Sequence, residues 1–367
     1  QGMSPYRPTF NPPHCPNQYC RYHKKPEDWP YKKAGFYSRA IKPYRVQRYK
    51  CLNCGRDFSR QTFQANYWLK RPDLFRALLH RILACSSFRQ IARQFDVAPS
   101  TVWNQTARLG RHCLLFQKEN QPKDPLAEPL VIDGFESFEY SQYYPVHFHV
   151  AVGAESHFFY AFTDSELRRK GRMTPKQEDK RAELEEMLGR PDPKSIEKEM
   201  THLVRLALGD SDSATIYSDD HQAYPRSFRR LNDVTISHFV TSSTERRTTR
   251  NPLFPVNLLD LLIRHTGSNH KRETIAFSKR RQSAAERLAI LQVWRNFIKP
   301  FSERKNKESP AQRLGLYDRR LKVDEILVKR LFPTLTRLPR RIARYYKREI
   351  ATRCIPNGRR HELKYAY

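Results

Sequence analysis

Two pairs of cysteines constrain the fold of the first part of the chain more than any other feature of the sequence. Cys15 and Cys20 form a C-x4-C pair, and Cys51 and Cys54 form a C-x2-C pair. Two thiolate pairs far apart in sequence, each on a tight turn, are how a zinc ribbon brings four sulfur ligands to one tetrahedral ion. Residues 1–66 contain few apolar residues at core spacing, so zinc binding is expected to supply much of the folding free energy of this segment.

The other cysteines and two histidines leave one alternative open. His14 and His23 lie beside the first cysteine pair, and either of them could replace a cysteine as a zinc ligand. Cys85, Cys113 and Cys354 have no partner at ligand spacing, so we expect them to be ordinary core or surface residues. An odd number of cysteines, with four in close pairs, suits a reducing compartment and a metal site better than a disulfide framework.

The chain is strongly basic. It contains 68 Lys and Arg against 38 Asp and Glu, a formal net charge of +30, and a folded protein of this charge attracts polyanions over a long range. An aromatic content of 12% is too high for a disordered basic tail, so we expect a folded nucleic-acid-binding protein. A heparin-type or ribosomal binder would have a similar composition. No apolar run approaches membrane-spanning length, and the start of the sequence lacks the apolar core of a signal peptide.

Residues 86–112 have the pattern of a helix, a short turn and a second helix. Ser87 can cap the first helix, and Pro99 suits the first turn of the second. In a helix-turn-helix motif the second helix enters the major groove by its N-terminal end, although a plain helical hairpin would have the same pattern. Asn and Gln suit adenine edges, and Arg suits guanine or phosphate. The predicted DNA-contacting residues are Ser100, Thr101, Asn104, Gln105 and Arg108.

A mixed α/β domain is predicted after the polar linker that ends at Pro129. Three runs rich in β-branched and aromatic residues indicate an antiparallel meander, and they begin at Leu130, Val146 and His157. Helices are predicted over 176–188, 195–208, 256–264 and 284–297, with two further strands before Asp219 and from Val234.

Acidic residues are placed on both kinds of element in this domain. Asp133 lies inside the apolar run LVID, where a carboxylate costs desolvation unless a metal or a partner compensates. Asp219 ends a second strand-like run and is followed by Asp220, and a helix then carries Asn257 and Asp260 at i, i+3 spacing on one face. Each aspartate alone could be a turn or surface residue. Carboxylates delivered from two strands and a helix are what two-metal phosphoryl transfer with Mg²⁺ requires.

Six segments in this order resemble a known family: CPNQYC, YKCLNCGRDFSRQTF, SSFRQIARQFDVAPSTV, VIDGFESFEY, YSDDHQAY and HKRETIAFSKR. Over residues 14–300 the chain resembles prokaryotic insertion-sequence transposases of the DDE type, in the group with an N-terminal zinc ribbon followed by a helix-turn-helix. The resemblance implies an RNase H-like catalytic fold, Mg²⁺ or Mn²⁺, cleavage at the element's ends and strand transfer by the freed 3′-hydroxyl. By motif position, Asp133 matches the family's first acid and Asp219 its second.

The third acid departs from the pattern of the family. Counting back from the FSK stretch places Asn257 where relatives have a glutamate. Asp260 lies one helical turn further on, so we expect it to be the third acid, with Asn257 as a possible carbonyl ligand. Glu286 is a further candidate, although it lies farther from Asp219 than the usual spacing in the family.

A basic run lies beside the expected site. Its residues suit the gripping of phosphates, but a solvated basic face would have the same sequence. The run consists of His270, Lys271, Arg272, Lys279, Arg280 and Arg281. From about Glu303 the chain is again basic, and the interleaved Arg and Tyr there suit either backbone contact and stacking or packing on the catalytic domain.

The chain of 367 residues is therefore predicted to be a multidomain α+β protein. The expected division is a zinc ribbon over 1–66, a helix-turn-helix domain over 67–120, an RNase H-like α/β catalytic domain over 121–300, and a basic helical segment over 301–367. The resemblance implies double-stranded DNA as the partner, both as element ends and as target, and a homodimer or larger assembly on DNA. It also implies a cytoplasmic, nucleoid-associated protein of a prokaryote.

Three functions compete on these grounds. The first is an active transposase with structural Zn²⁺ and catalytic Mg²⁺ or Mn²⁺. The second is a catalytically inactive, domesticated transposase that acts as a sequence-specific DNA-binding protein, which the departure at Asn257 supports. The third is a nuclease on the same fold that performs no strand transfer.

Overall fold

The second cysteine pair lies at a turn of a three-stranded antiparallel sheet, and the first pair lies in the segment before that sheet. The structure is a computed structural model, and it describes residues 10–271 and 273–356. The strands run in the order β1 (Tyr31–Ser38), β2 (Arg45–Cys51) and β3 (Asp57–Ser59). The turn after β2 needs Gly55, whose φ of 70° lies in the left-handed region that side chains with a Cβ avoid.

Aromatic side chains fill the small core of this sheet. The ring of Phe58 stacks between those of Trp29 and Tyr49, at centroid distances of 5.0 and 5.6 Å. Phe332, which comes from the last part of the chain, packs into the same cluster. The segment of residues 10–66 that contains β1–β3 and the four cysteines is called the ribbon below. Its folding depends on aromatic packing and on a remote segment, in addition to the metal site that the sequence predicts.

Three helices follow the ribbon: α1 (Asp73–Leu83), α2 (Phe88–Phe95) and α3 (Pro99–Asn120). Ser87 caps α2 in a capping box with Gln90, and Pro99 stands in the first turn of α3, as predicted. The buried positions of the motif are also confirmed, because Ile91, Ala92, Val102 and Leu109 are all inaccessible.

The predicted meander opens a five-stranded mixed sheet in the order β6-β5-β4-β7-β8. Strands β4 (Leu130–Phe138), β5 (Pro145–Gly153) and β6 (Phe159–Glu166) are antiparallel neighbours. Strands β7 (Ser213–Ser218) and β8 (Thr235–Val240) run parallel to β4 on its other side. All five predicted strands are thus present, and β4 occupies the centre.

Helices cover both faces of this sheet. Their bounds are α4 (Pro175–Leu188), α5 (Ser195–Leu208), α6 (Ala223–Phe228), α7 (Phe254–Thr266) and α8 (Arg281–Val293), which continues as a π-turn over Trp294–Ile298. Leu130 and Ile132 of β4 pack against α5 and α6, whereas Val131 and Phe135 belong to the core beneath α7 and α8. Alternate side chains of a strand point to opposite faces of the sheet, so Asp133 points to the same face as Val131 and Phe135.

Helix α8 packs directly against α3, so the helix-turn-helix and the mixed sheet share one core. The closest approach is at Gly110, where a Cβ atom would lie only 2.7 Å from the carbonyl oxygen of Glu286. Any larger residue there would push the two helices apart. Among the described residues, no helix is both long and apolar enough to cross a membrane.

The last described part of the chain packs back over all of these elements. It contains three short helices, α9 (Pro310–Arg313), α10 (Val323–Leu327) and α11 (Arg340–Tyr346). Arg330 donates to the carbonyl oxygen of Thr62 at the ribbon, at 2.9 Å. Arg341 forms ion pairs with Asp164 of β6 and with Glu199 of α5, each at 2.7 Å. This segment therefore joins the ribbon, the helices and the sheet.

We expect Arg341→Met to destabilise the protein by about 3–5 kcal/mol, because removal of one partner leaves the other charge of a buried ion pair uncompensated. The side chains of Asp164 and Arg341 are 2% and 8% exposed. Urea denaturation followed by circular dichroism measures the loss. Arg340→Met is the matched control on the neighbouring exposed residue, with an expected change within about 0.5 kcal/mol. Equal small effects in both variants would show that the buried network contributes little.

Candidate active site and metal centre

Strand pairing brings the first two predicted acids to one place. In the parallel pair of β4 and β7, Leu130 lies across from Ile216 and Val131 from Tyr217. The same register, continued by two residues, places Asp133 across from Asp219, which directly follows the last residue of β7. Asp133 therefore lies within β4, beside the carboxyl end of β7, which Asp219 directly follows.

Helix α7 adds the third acid. Asp260 lies close enough to Asp133 for the charge of Asp133 to disfavour the charged form of Asp260. Burial and then the Asp133 charge raise the pKa of Asp260 to about 8. For Asp133, burial and then the charge of Asp219 raise the pKa to about 6, against the opposing effect of hydrogen bonds from the Gly134 amide and Tyr224.

Tyr224 of α6 lies within the field of all three aspartates. Its hydroxyl donates to Oδ1 of Asp133 at 3.3 Å, and its side chain is only 1% exposed. Burial and then the charges of Asp133, Asp219 and Asp260 raise its pKa well above the ordinary value. Tyr224 therefore stays protonated and can orient one oxygen of Asp133.

An unsatisfied oxygen marks the site as one that suits a cation. Oδ1 of Asp260 is buried and has no hydrogen-bond partner among the described residues. A buried carboxylate oxygen without a donor is costly, and the neighbouring carboxylates of Asp133 and Asp219 add repulsion. A divalent ion with hard oxygen ligands removes both penalties, so these residues fit Mg²⁺ or Mn²⁺.

The three aspartates are not clustered as tightly as the four cysteines. The four cysteines are the one group of three or more candidate ligands in the described chain whose ligand atoms all lie within 4.8 Å of one another. At least one pair of the aspartates is therefore more widely separated.

The alternative third acids have different surroundings. Asn257 is half-buried one turn before Asp260 on α7, on the same side of the helix. Glu286 is 1% exposed and pairs with Arg348 at 3.0 Å, and its backbone contacts α3 at Gly110. The suggestion that Glu286 is a free acid for metal binding is wrong, because its charge already compensates a buried arginine in the core.

Two features of the site were not predicted from sequence. Arg247, in the exposed loop before α7, lies close enough to Asp133 and Asp260 to lower the pKa of both. His147 and His149 of β5 are buried beside Gly134, with their Nδ1 atoms 3.1 Å apart. Neither feature has a local sequence pattern, since both depend on which strands and loops become neighbours.

The cysteine prediction is supported by a compact cluster of sulfurs. Sγ of Cys15 lies 3.6 Å from that of Cys54, and Sγ of Cys20 lies 4.0 Å from that of Cys51. A tetrahedron with Zn–S bonds of about 2.3 Å has edges of about 3.8 Å. The four side chains therefore have the donor type and the spacing that could hold one zinc ion.

The pKa of one thiol in the cluster is lowered. Burial opposes the charged form of Cys51, but the indole of Trp29, donating at 3.2 Å, and the backbone amides of Cys54 and Asn53 lower its pKa to about 7. His14 and His23 are engaged elsewhere: each places its Nδ1 within hydrogen-bond distance of the carbonyl oxygen of Cys15, at 3.0 and 2.7 Å. The four sulfurs, without either histidine, form the candidate ligand set.

The predicted DNA-contacting residues of α3 divide into two groups. Ser100 and Asn104 are exposed and Thr101 is half-buried. The prediction that Gln105 and Arg108 are exposed is wrong: both are buried, and they donate to the carbonyl oxygens of Arg71 and Ala65, each at 3.0 Å. The middle of α3 is enclosed because it packs on α8, so its side chains reach solvent in the first turns and in the last turn.

Asn104→Ala is expected to weaken binding to duplex DNA that flanks the protein's coding sequence by about 1–3 kcal/mol, if Asn104 reads a base. Gln105→Ala is the matched comparison on the neighbouring residue. It should lower the free energy of unfolding by about 1 kcal/mol and leave the affinity of the folded protein within twofold. Fluorescence anisotropy gives the affinities and thermal melting the stabilities. An unchanged affinity for Asn104→Ala would remove this face of α3 from the DNA interface.

Some residues of the basic run are exposed in the structure and others are buried. Lys271 and Lys279 are exposed, and Arg280 donates to the carbonyl oxygen of Pro356 at 2.6 Å. The expectation of a DNA contact at Arg281 is wrong, because its side chain is buried and paired with Asp164 at 3.0 Å and Glu166 at 2.9 Å. His270 is buried and packs in a T-shaped arrangement against the rings of Phe135 and Phe148. Arg272 lies outside the described residues.

Comparisons with known proteins give a distant likeness to solved structures. No family model matches the chain, and no curated protein matches it. Among solved structures, it is similar to a chain of the cryoEM structure of the simian T-cell lymphotropic virus intasome in complex with PP2A regulatory subunit B56 gamma. The identity is 15% over 65% of this chain and 71% of the other, with a TM-score of 0.26. A superposition this poor gives no support to an assignment of fold or activity.

Proposed function

We propose that this protein is a DNA transposase whose phosphoryl-transfer site consists of Asp133, Asp219 and Asp260. The observation that carries the proposal is the convergence of three carboxylates, from β4, from the residue after β7 and from α7, beside the carboxyl end of β7. There the charge of Asp219 acts on Asp133, the charge of Asp133 acts on Asp260, and a buried oxygen of Asp260 is unsatisfied. Such a cluster is costly in a protein without a cation to compensate it.

The domain that holds these acids is proposed to be RNase H-like. Three antiparallel strands, followed by a crossover helix and two strands parallel to the first, make up the mixed sheet. The first and fourth of these strands are neighbours, so the end of β7 lies beside Asp133, a residue far from it in sequence. This arrangement places Asp133 in the centre of the sheet, and α7 closes the site from one face.

The reaction proposed has two steps. In the first, the oxygen of a water molecule forms a bond to phosphorus at the element's end, and the bond from phosphorus to the 3′-oxygen breaks and leaves a 3′-hydroxyl. In the second, that hydroxyl loses its proton, forms a bond to phosphorus in target DNA, and displaces another 3′-oxygen. Two divalent ions, when bound, activate the attacking oxygen and stabilise the leaving oxygen.

The protein's own residues position the reactants. Asp133, Asp219 and Asp260 would hold the ions, and the Tyr224 hydroxyl fixes Oδ1 of Asp133. Arg247 lies at the exposed side of the site, where a guanidinium suits a phosphodiester oxygen. Exposed Lys271 and Lys279 extend the positive surface along the DNA backbone.

Sequence-specific binding without catalysis is the second candidate function. It is favoured by the absence of an acid at position 257 and by the separation of at least one aspartate pair beyond 4.8 Å in the described chain. In this case the ribbon and the helix-turn-helix would bind DNA, while the aspartate site would fail to hold Mg²⁺.

Metal binding and nicking together separate the two functions. The full chain is titrated with Mn²⁺ by calorimetry, and is then incubated with Mg²⁺ and duplex DNA carrying the flanks of its coding sequence. The transposase should bind Mn²⁺ and release products with 3′-hydroxyl ends, and it should join those ends to a second DNA. DNA binding without Mn²⁺ uptake or nicking would support the second function. Nicking without joining would indicate a nuclease.

A further inference from the structure

A groove of about 620 Å³ lies between the ribbon sheet and the segment that leads into α1. Its lining combines aromatic rings with cationic side chains, and none of these residues belongs to the aspartate site or to the exposed turns of α3. The groove residues used below are Tyr37, Arg39, Arg48, Tyr67, Trp68 and Lys70. Among the described lining residues, Asp57 is the only carboxylate, so the groove is positive.

Trp68 is held in solvent by an unusual backbone. Its side chain is 69% exposed, and its φ of 66° lies in the left-handed region. A side chain other than glycine in that region costs on the order of 1–3 kcal/mol, and such costs cluster at binding sites. The backbone at Trp68 is therefore strained at a position where most of a large aromatic side chain is accessible.

The aromatic residue beside Trp68 is packed against a buried arginine. The ring of Tyr67 lies 5.7 Å from that of Trp68, and the guanidinium of Arg330 lies 4.7 Å from the Tyr67 ring on the protein side. Arg330 is buried and bonded to the carbonyl oxygen of Thr62 at 2.9 Å. The Tyr67 ring thus has a fixed position, and Trp68 is carried on a rigid base.

The cations of the groove lack acidic partners in the part of the chain that the structure describes. Nη1 of Arg39 is buried and has no hydrogen-bond partner there. Arg48 is exposed and uses its Nε to donate to the carbonyl oxygen of Ala34 at 2.9 Å, and Lys70 is exposed. A phosphate oxygen would supply the acceptor that Arg39 lacks.

We propose that this groove binds single-stranded DNA, with an unpaired base stacked on Trp68 and the adjoining phosphates on Arg39, Arg48 and Lys70. Aromatic platforms beside cationic side chains are how proteins bind single strands. Bases within a duplex have both faces covered by their neighbours, so a duplex offers nothing to stack on Trp68. The volume is within the range of about 300–1,000 Å³ that small-molecule sites occupy, enough for one or two nucleotides.

This inference deepens the proposed function, on which it rests for the source of the ligand. Nicking and strand transfer at an element's end would leave unpaired nucleotides close to the cut. A groove on the ribbon that captures such a strand would keep the cut end attached to the protein between the two steps.

The test uses the full zinc-loaded chain and a fluorescent oligonucleotide of eight nucleotides, with anisotropy as the readout. A base stacked on an aromatic ring contributes about 1–3 kcal/mol, so Trp68→Ala should weaken binding of the oligonucleotide by about 5- to 150-fold. Trp68→Phe should retain most of the affinity. Binding of a duplex by either variant should stay within twofold of wild type.

Controls separate stacking from general charge and from misfolding. Tyr19→Ala changes a ribbon side chain that is 88% exposed and lies outside the groove, and it should have no effect. An abasic oligonucleotide and heparin, which offer charge without bases, should bind equally to wild type and Trp68→Ala. Equal binding of the eight-nucleotide strand by Trp68→Ala and wild type would overturn the proposal, as would an equal loss of duplex and single-strand binding.

Failure of this inference and failure of the proposed function give different results. If Trp68→Ala keeps wild-type affinity for the single strand while Mg²⁺-dependent nicking is present, only the groove assignment falls. If nicking and Mn²⁺ binding are absent while Trp68 still determines single-strand affinity, only the enzymatic function falls.

Discussion

Asp133→Asn should abolish DNA nicking and joining while leaving the fold and DNA binding intact. The substitution keeps the shape of the side chain and removes its charge at the centre of the acid cluster. Mutation of groups that merely support a metal ligand costs about 10- to 100-fold in affinity or activity, so loss of a direct ligand should cost more than about 100-fold. Gel assays on flanking DNA with Mg²⁺ measure activity, and calorimetry should show reduced Mn²⁺ uptake.

Asp219 and its neighbour provide a matched pair for the same experiment. Asp219→Asn should behave as Asp133→Asn does, whereas Asp220→Asn should keep nicking within a few-fold. Asp220 is exposed, and its carboxylate accepts from the Ser243 side chain at 3.2 Å. If wild-type nicking survives in Asp133→Asn, or falls equally in Asp220→Asn, the proposed assignment of the acids is wrong.

Substitutions on α7 identify the third ligand. Asp260→Asn should reduce Mn²⁺ binding and nicking as strongly as Asp133→Asn, and Asn257→Ala should have a smaller effect if Asn257 supplies one carbonyl oxygen. The metal-free Asp260→Asn variant should melt no lower than wild type. The reason is that burial and the Asp133 charge penalise the Asp260 carboxylate and raise its pKa to about 8. A lower melting temperature would indicate a structural role for Asp260.

Removal of zinc is expected to unfold the ribbon. Zn²⁺ bound to structural cysteine sites contributes about 10–16 kcal/mol of apparent binding free energy at neutral pH, more than the small aromatic core can replace. Cys51→Ser should lose one equivalent of zinc per chain and expose Trp29, whose indole donates to the sulfur at 3.2 Å. Metal analysis and tryptophan fluorescence report these two changes.

Cys85→Ser is the control for the zinc experiment, because Cys85 lies outside the cluster and is half-buried. It should retain the full zinc content and the wild-type fluorescence. The mixed sheet should keep its circular dichroism in Cys51→Ser, although the contact of Phe332 with the ribbon core would be lost. Wild-type protein that carries no zinc after purification and reconstitution, yet keeps a folded ribbon, would contradict the prediction.

Local patterns were sufficient to locate the helices of the second motif and the five strands of the mixed sheet. The capping box at Ser87, the proline at position 99 and the β-branched runs from Leu130 onward each act within a few residues, and the structure has helices and strands at those places. The two cysteine pairs belong to the same class of prediction, since each pair needs only one tight turn. Asp133 in the centre of a strand was visible because an acid in an apolar run is unusual.

The sequence did not predict which charged residues are buried. Arg108 and Arg281 have the composition of a DNA-binding surface, yet one bonds to the ribbon segment and the other to acids of β6. Glu286 resembles a free catalytic acid until Arg348 is found beside it. In each case the partner comes from a distant part of the chain, so the charge alone gives no indication of whether it faces water.

The sequence by itself determined which segments become strands and helices, where the thiolate pairs lie, and which acids stand on which elements, because hydrophobic periodicity, capping and turn chemistry act over a few residues. The tertiary structure alone decided how the elements pack: that α8 covers half of α3, that the last segment of the chain binds the ribbon and the sheet, and that Arg247 and Tyr224 join the aspartates. Those outcomes depend on long-range packing and on the pairing of buried charges, whose free energy exists only once remote residues are in contact.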